Sequence, residues 1–175
     1  MTLAPGSAGD LAYVPGGAAG YLGRLSWVDG SCLVTAADST NIDGLVRAMT
    51  LSPDGSVVAL AMERPSDASN FARVWVASMR GGPLQLVRSE DRGARTPVWS
   101  ADSRSLVYLS GEGTTIHRRR ADGSGTAELL ATVPRGVNDL TLHPSGRSMV
   151  LLGDDSGDRR QELLDAALCC RPQRP

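Results

Sequence analysis

The sequence contains no lysine, and all 18 of its basic residues are arginine. This absence excludes several chemistries from the chain, because a phosphate-binding P-loop, a pyridoxal Schiff base and a protein kinase domain each need a lysine amine. The 19 acidic residues bring the formal net charge to −1. So small a net charge creates no overall field that would attract nucleic acid or an anionic membrane surface. We therefore expect no nucleic-acid partner.

Cysteine and histidine are also scarce. The chain has three cysteines, Cys32, Cys169 and Cys170, and two histidines, His117 and His143. The adjacent cysteine pair lacks the C-x-x-C spacing of zinc and redox sites, and no histidine lies near it in sequence. An odd number of cysteines gives no disulfide framework, so the cysteines do not indicate whether the protein works in an oxidising or a reducing compartment. We expect neither a metal site nor a cofactor.

Long apolar runs are missing as well. No stretch approaches the roughly 18 consecutive apolar residues that a membrane-spanning helix requires. Residues 1–6 show neither the basic region nor the apolar run of a signal peptide. We expect no signal peptide and no membrane span in this chain, and a disordered N-terminal segment over residues 1–10. The sequence does not fix the compartment.

A turn cassette recurs along the chain, beginning at residues 51, 99 and 142. The intervals of 48 and 43 residues match the period of a four-stranded propeller blade. Within a cassette, proline presets φ, serine or aspartate bonds the nearby backbone, and glycine takes the positive φ that a Cβ resists. The repeat residues that we assign, including the tryptophans of the strands, are Trp27, Ser52, Pro53, Asp54, Gly55, Trp75, Trp99, Ser100, Asp102, Pro144 and Gly146.

A second turn signal falls inside two of the periods, at residues 80–82 and 122–125. Two turns per period imply four strands per repeat. The sequence thus predicts an all-β fold of about three and a half four-stranded antiparallel blades, an incomplete β-propeller over residues 11–164. Three strands of a first blade lie in 11–36, complete blades in 46–88 and 97–131, and strands of a fourth in 137–152 and 161–164. Residues 165–175 are expected to form an irregular tail.

The cassette Ser-Pro-Asp-Gly at residues 52–55, the Trp-Val strand closed by Gly-Gly and the Pro-Val-Trp-Ser at 97–100 resemble the WD40-like repeat of TolB-type propellers. Residues 11–17 and 24–29 resemble the opening of the propeller attached to bacterial eukaryotic-like serine/threonine protein kinases. The resemblance covers about residues 11–164. It implies a ring of six or more blades and allows an extracytoplasmic location for a full-length protein.

The cassettes depart from this pattern at four positions. The second cassette has Ala101 and Ser103 where the pattern has proline and glycine, and the third has His143 and Ser145 where it has serine and aspartate. We expect the turns to survive, because the aspartate of the second cassette and the glycine of the third retain part of the mechanism.

Several residues invite a functional interpretation. Three tryptophans could form a ligand-binding set, but their strand positions favour packing between blades, and Tyr13 and Tyr108 follow the same logic. The acidic run at residues 154–158 lacks the glycine at the sixth position of an EF-hand calcium loop, where Arg159 stands. The arginines at 118–120 alternate faces of a strand, so a solvated edge is favoured over a phosphate site.

No nucleophile elbow of the form Gly-x-Ser-x-Gly occurs. His143 takes a turn position and His117 lies mid-strand without an acidic neighbour, so we expect no catalytic residues and no enzyme activity. Three functional hypotheses remain. The first is a non-catalytic module for protein or ligand interaction, belonging to a kinase-attached or TolB-like protein. The second is the substrate-gating propeller of a prolyl-oligopeptidase-like serine hydrolase whose catalytic domain is absent. The third is a truncated frame without independent function. Open blade faces predict self-association.

Overall fold

The computed structural model describes residues 2–5, 11–14, 22–64, 71–87, 93–133, 136–154 and 161–167. These residues form an all-β structure, and its one helical element among them is the 3-10 turn Gly111–Gly113. The predicted fold class is confirmed. The strands are short and antiparallel, because glycine, proline and the Asp/Ser turns interrupt each apolar run before a helix could form.

The strands form four antiparallel sheets, which we number blades 1 to 4 in chain order. Blade 1 contains β1 (Thr2–Pro5), β2 (Leu11–Val14), β3 (Leu22–Val28) and β4 (Val34–Asp43). Blade 2 contains β5 (Leu45–Leu51), β6 (Val57–Glu63), β7 (Arg73–Ser78) and β8 (Gln85–Leu86). Blade 3 contains β9 (Ala94–Trp99), β10 (Ser105–Ser110), β11 (Thr115–Arg120) and β12 (Glu128–Thr132). Blade 4 contains β13 (Val137–Leu142), β14 (Ser148–Asp154) and β15 (Gln161–Ala167).

Within each blade, consecutive strands pair with each other, as in a meander. Between blades, the first strands are neighbours: β1 lies against β5, β5 against β9 and β9 against β13. The blades therefore stand side by side around a common inner edge, which is the architecture of a propeller.

The first and last strands differ from the sequence-based boundaries. Thr2–Pro5 is a strand within the segment expected to be disordered, and its pairing with β2 gives blade 1 the fourth strand that we had not assigned. Four residues without a turn cassette carry too little local signal to be recognised, and only the pairing partner defines them. At the other end, β15 continues to Ala167, beyond the predicted boundary at residue 164, because it pairs with the whole of β14. Residues 168–175 lie outside the described part.

The core consists of three layers, each between two successive blades. Strand β6 shows why: Val58, Leu60 and Met62 face the layer toward blade 1, while Ala59 faces the layer toward blade 3. Strand β10 alternates in the same way, with Tyr108 toward blade 2 and its neighbours toward blade 4. Because successive side chains of a strand point to opposite faces, a strand between two blades must be apolar at every position.

Candidate functional site

The propeller has two faces with different construction. The turn face carries the tight turns that join first to second and third to fourth strands. The loop face carries the connections from second to third strands and from one blade to the next. Residues 52–56, 100–104 and 143–147 are the cassette turns of the turn face, whereas residues 64, 71–72, 93 and 111–114 belong to connections of the loop face.

The first cassette turn is closed by its own side chains. The Ser52 hydroxyl donates to Asp54 Oδ1 at 2.6 Å and accepts from the Val57 amide at 3.0 Å. Asp54 also accepts from the amide and hydroxyl of Ser56. These bonds to the ionised form lower the pKa of Asp54 below its ordinary value, with the Ser52 hydroxyl as the largest cause. Gly55 has φ +72°, a left-handed conformation that glycine adopts without the steric cost of a Cβ.

The second and third cassettes reproduce this turn with different residues. Ser100 and Asp102 repeat the bond at 2.6 Å, and the pKa of Asp102 is lowered first by that hydroxyl. In the third cassette, His143 stands at the position of the serine, and its Nδ1 accepts from the Ser145 amide at 3.1 Å, whereas Ser52 and Ser100 accept from the amide five residues on. His143 therefore acts as a turn residue, at the position where the other two cassettes have serine. Ser103 adopts φ +58° in the glycine position.

The tryptophans lie in the layers between blades but not at equivalent strand positions. Trp27 and Trp75 are on the third strands of blades 1 and 2, whereas Trp99 is on the first strand of blade 3. Trp75 and Trp99 are buried, and Trp27 is half-buried. The Trp99 indole donates to the Thr50 carbonyl at 3.2 Å, which links blade 3 to blade 2. Arg64 lies over the Trp75 ring at 4.8 Å from its centroid.

The arginines at 118–120 divide between two faces, and one of them is not solvated. Arg118 is exposed and pairs with Glu128 at 2.7 Å, and Arg120 pairs with Asp122 at 2.8 Å. Arg119 is buried, and its guanidinium donates to the carbonyls of Gly123 and Gly125 at 2.9 Å. The expectation of a solvated edge is therefore wrong for Arg119. Because successive side chains of a strand point to opposite faces, Arg119 points inward, where it stabilises the following turn.

Tyr108 and His117 stack in blade 3, with ring centroids 5.9 Å apart. Tyr108 is buried, which agrees with its assignment to packing, while the side chain of Tyr13 lies outside the described part. The acidic run 154–158 and Cys169–Cys170 also fall outside the description of side chains. Within the described residues, no three His, Cys, Asp or Glu side chains come close enough to hold a metal ion. No helix in that part of the chain could cross a membrane.

The loop face is shaped by a β-bulge that recurs in the first strand of three blades. The pairing register slips by one residue between Val46 and Ala48, between Arg95 and Val98, and between Val137 and Asp139. In blade 3 the bulge contains Thr96, whose φ is +48°. A β-branched residue rarely adopts this conformation, and bulges commonly redirect side chains beside functional sites.

A cleft of about 360 Å³ opens on the loop face between blades 2 and 3. Its polar wall contains Arg47, Glu63, Arg95, Thr96 and Ser110, and its apolar wall contains Ala48, Phe71, Ala72, Ala94 and Leu109. Arg47 donates from Nε and Nη2 to the two carboxylate oxygens of Glu63, at 3.0 and 3.1 Å. This volume and this mixture of walls are typical of sites for small ligands.

One polar group in the wall of this cleft lacks the kind of partner that the turn face supplies. The Thr96 hydroxyl oxygen is buried and has no hydrogen-bond partner. The Arg95 guanidinium points away from the cleft, since its Nη2 lies 2.7 Å from the place that a Cβ on Gly113 would take, beside Val137 of blade 4. By contrast, a groove of about 410 Å³ on the turn face contains the Arg120–Asp122 pair and Ser103, whose hydroxyl accepts from the Asp54 amide. We therefore take the loop-face cleft as the candidate site.

Glycines bring the connections close enough to enclose this cleft. A Cβ on Gly93 would lie 2.9 Å from the Cβ of Phe71, and the Ala94 amide donates to the Ala72 carbonyl at 2.8 Å. A Cβ on Gly44 would lie 2.7 Å from the Glu63 carbonyl. These contacts leave no space for a side chain, so glycine is required where one blade leads into the next.

Sequence reasoning missed this site, although a signal for it exists. Gly44, Gly93 and Gly136 each precede the first strand of a blade, and Arg47, Arg95 and Asn138 each stand four residues before a cassette. Their spacing follows the cassette period. A comparison of the positions before each cassette, as well as those within it, would have indicated the loop face.

No protein-family model matches the sequence, and no curated protein matches it. Solved structures do match. A TolB-type protein from Agrobacterium tumefaciens is 17% identical with a TM-score of 0.71, over 95% of this chain and 57% of that one. TolB from Acinetobacter baumannii is 18% identical with a TM-score of 0.70, over 96% of this chain and 41% of that one. The predicted TolB-type propeller fold is confirmed.

The same fold occurs in a structure from a study of two prolyl endopeptidases, which is 17% identical with a TM-score of 0.61. That match covers 96% of this chain and 30% of the endopeptidase chain. This chain therefore spans about half the length of the TolB structures and less of the endopeptidase. At identities this low, the structural similarity establishes the fold and does not identify the function.

Proposed function

We propose that this chain is a non-catalytic propeller module whose loop face binds a protein or a small ligand. The observation that supports the proposal most directly is the loop-face cleft, with its paired Arg47 and Glu63, its unpaired Thr96 hydroxyl and its exposed Phe71. Binding residues collect on connections that a rigid scaffold holds in place, and a half-exposed aromatic beside an arginine is a common anchor in interfaces.

The test compares the two faces of one molecule. A photo-cross-linking amino acid is placed at Phe71, on the loop face, and separately at Arg80, which is exposed on the turn face. In cells that produce the protein, we expect a discrete adduct from position 71 and none from position 80. Equal adducts from both positions, or adducts from position 80 alone, would refute a binding role for the loop face.

The non-catalytic part of the proposal has its own test. The sequence offers no nucleophile elbow and no lysine, and within the described part of the chain neither histidine contacts an acidic side chain. We expect the purified chain to show no saturable turnover of peptidyl esters or ATP. Turnover that persists through repeated purification and disappears on Glu63→Gln would place an active site in the cleft.

The link to a bacterial serine/threonine kinase is a proposal that depends on residues 11–17 and 24–29. The alternative is a substrate-gating propeller in a prolyl-endopeptidase-like hydrolase, and the structural similarity to such an enzyme favours it. The flanking coding sequence separates the two. An upstream kinase domain supports the first, and a downstream α/β domain with a Gly-x-Ser-x-Gly elbow supports the second.

Self-association stays a prediction. Sheet edges and apolar faces that a closed ring would cover favour association when they are open. Blade 1 exposes Leu22, Leu33 and Val34, at 74%, 60% and 52%. We expect light scattering over a dilution series to report a mass that increases with concentration, and a constant monomer mass would contradict this.

A further inference from the structure

We propose that the open face of blade 4 binds the open face of blade 1 on a second copy of this chain, so that the copies associate head to tail. The open face of blade 4 is the side of its sheet that points away from blade 3. The open face of blade 1 is the side that points away from blade 2. This inference rests on the self-association predicted above, names the two surfaces that meet in it, and is independent of the loop-face binding.

The open face of blade 4 has the composition of a face that another blade covers. Val150 of β14 points away from blade 3, because Met149 and Leu151 on either side of it pack in the layer toward blade 3. The residues that also stand eight positions after the start of a cassette are Ala59 and Val107, which the following blade buries to 0% and 2% exposure. Val150 is only half-buried. A capping repeat carries polar residues at such positions, so blade 4 presents an apolar surface where a cap would be polar.

The open face of blade 1 is apolar as well. Leu25 of β3 packs in the layer toward blade 2, so Val28, which lies three positions further along the strand, points to the other side. Val34 of β4 pairs with Val28, shares its side of the sheet and is 52% exposed. On the matching side of blade 2, Ala77 of the third strand and Leu84 pack in the layer toward blade 1. Blade 1 therefore lacks the cover that it gives to blade 2.

The layers inside the chain show which surfaces fit each other. Each of the three layers joins the side of one blade that faces forward along the chain to the side of the next blade that faces back. Within the described part of the chain, none of these layers joins blade 4 to blade 1. One forward side, on blade 4, and one backward side, on blade 1, are left uncovered. A second copy offers each of them the kind of surface that the other blades meet, and the resulting contact joins two different surfaces, head to tail.

The charges of the two open faces are complementary. Asp139 and Asp165 occupy strand positions on the open side of blade 4. Arg24 occupies a position on the open side of blade 1 and is exposed, while the carboxylate of Asp43 on that blade is already paired with Arg64 of blade 2. A head-to-tail contact brings opposite charges together, whereas a contact between two blade 4 faces brings like charges together. The charges therefore favour blade 1 as the partner of blade 4.

The experiment mixes two variants that each lose one face. Val34→Arg places a charge on the open face of blade 1, and Val150→Arg places one on the open face of blade 4. We expect each variant alone to associate about tenfold or more weakly than the unmodified chain in analytical ultracentrifugation, because the contact would bury an unpaired charge. An equimolar mixture should form a complex of one copy of each, since each variant keeps the face that the other has lost. Leu129→Arg, at an exposed position of the outer strand of blade 3, is the matched control and should associate like the unmodified chain.

Cross-linking provides a second measurement that needs no buried charge. The background is a chain with Cys32→Ser, Cys169→Ser and Cys170→Ser. Copies with Val34→Cys and copies with Val150→Cys, tagged to differ in size, are mixed and treated with a bifunctional thiol reagent. We expect the mixed adduct to exceed both adducts between copies of the same variant. A closed ring of two copies and an open series of copies both contain this contact, so either limiting mass supports the proposal.

Three results would overturn the head-to-tail contact: undiminished association of either charge variant alone, a mixture that does not pair although circular dichroism shows both variants folded, or an excess of same-variant adducts. A constant monomer mass of the unmodified chain would overturn it too, and further blades of a longer chain would then be the better candidates to cover blade 4. None of these results bears on the loop-face binding, which the cross-link at position 71 tests separately.

Discussion

The turn face and the loop face satisfy their polar groups in different ways. On the turn face, Ser52 and Asp54 close their turn with local hydrogen bonds, and Ser103 bonds the neighbouring cassette at 3.1 Å. On the loop face, Thr96 has a strained backbone and a hydroxyl without a partner. The turn face therefore satisfies these polar groups within the chain, whereas the loop face keeps a strained residue and an unpartnered hydroxyl at Thr96.

The largest effect that we expect comes from the layer between the two faces. Trp75→Ala should destabilise the chain by about 3–5 kcal/mol, because it truncates a buried aromatic. Arg118→Ala, which removes an exposed side chain from a surface ion pair, should cost no more than about 1 kcal/mol. Urea unfolding of both variants measures the difference.

Arg119, the neighbour of Arg118 in sequence, would not serve as a control for an exposed charge, because its side chain is buried. The Arg119 guanidinium donates to the carbonyls of Gly123 and Gly125, so Arg119→Ala would remove two hydrogen bonds from the turn at 121–125. If Trp75→Ala and Arg118→Ala lower the free energy of unfolding by equal amounts, our assignment of Trp75 to the core is wrong.

A smaller effect is expected on the turn face. Ser52→Ala should cost about 1–3 kcal/mol, because the Val57 amide loses its side-chain acceptor and Asp54 loses a donor. Ser110→Ala is the matched change on the loop face, where the hydroxyl donates to the Gly93 carbonyl at 2.8 Å. If Ser110→Ala costs clearly more than Ser52→Ala in thermal unfolding, then the turn face is not the better-secured of the two.

The sequence predicted most of the turn face and little of the loop face, for a physical reason. A tight turn is held by bonds between residues two to five positions apart, such as Ser52 with Val57, so its residue types show in the sequence. The loop-face cleft brings together Arg47 and Arg95 from different blades, and no local pattern encodes that meeting. The same limit explains β1, a strand that only its pairing with β2 defines.

Ser103 offers the finest test, because it carries the same kind of strain as Thr96 but has a bond that compensates it. Its φ is +58°, in the position that Gly55 and Gly146 occupy in the other cassettes. Ser103→Ala keeps the strain and loses the bond to the Asp54 amide, whereas Ser103→Gly loses both. We expect the glycine variant to be more stable than the alanine variant by about 1 kcal/mol in urea unfolding.

Gly55→Ala is the control for this prediction. A Cβ there would meet nothing within 4 Å, so its cost is conformational alone and should also be about 1 kcal/mol. Equal stabilities of Ser103→Gly and Ser103→Ala would mean that positive φ carries no cost in these turns. The strain at Thr96 would then lose its meaning as a sign of function, because the comparison between the faces depends on the same conformational cost applying to both. If the glycine variant is the more stable, the positive φ of Thr96 destabilises the chain as well, and no described contact of its hydroxyl compensates for that strain. The loop face then remains the candidate binding face.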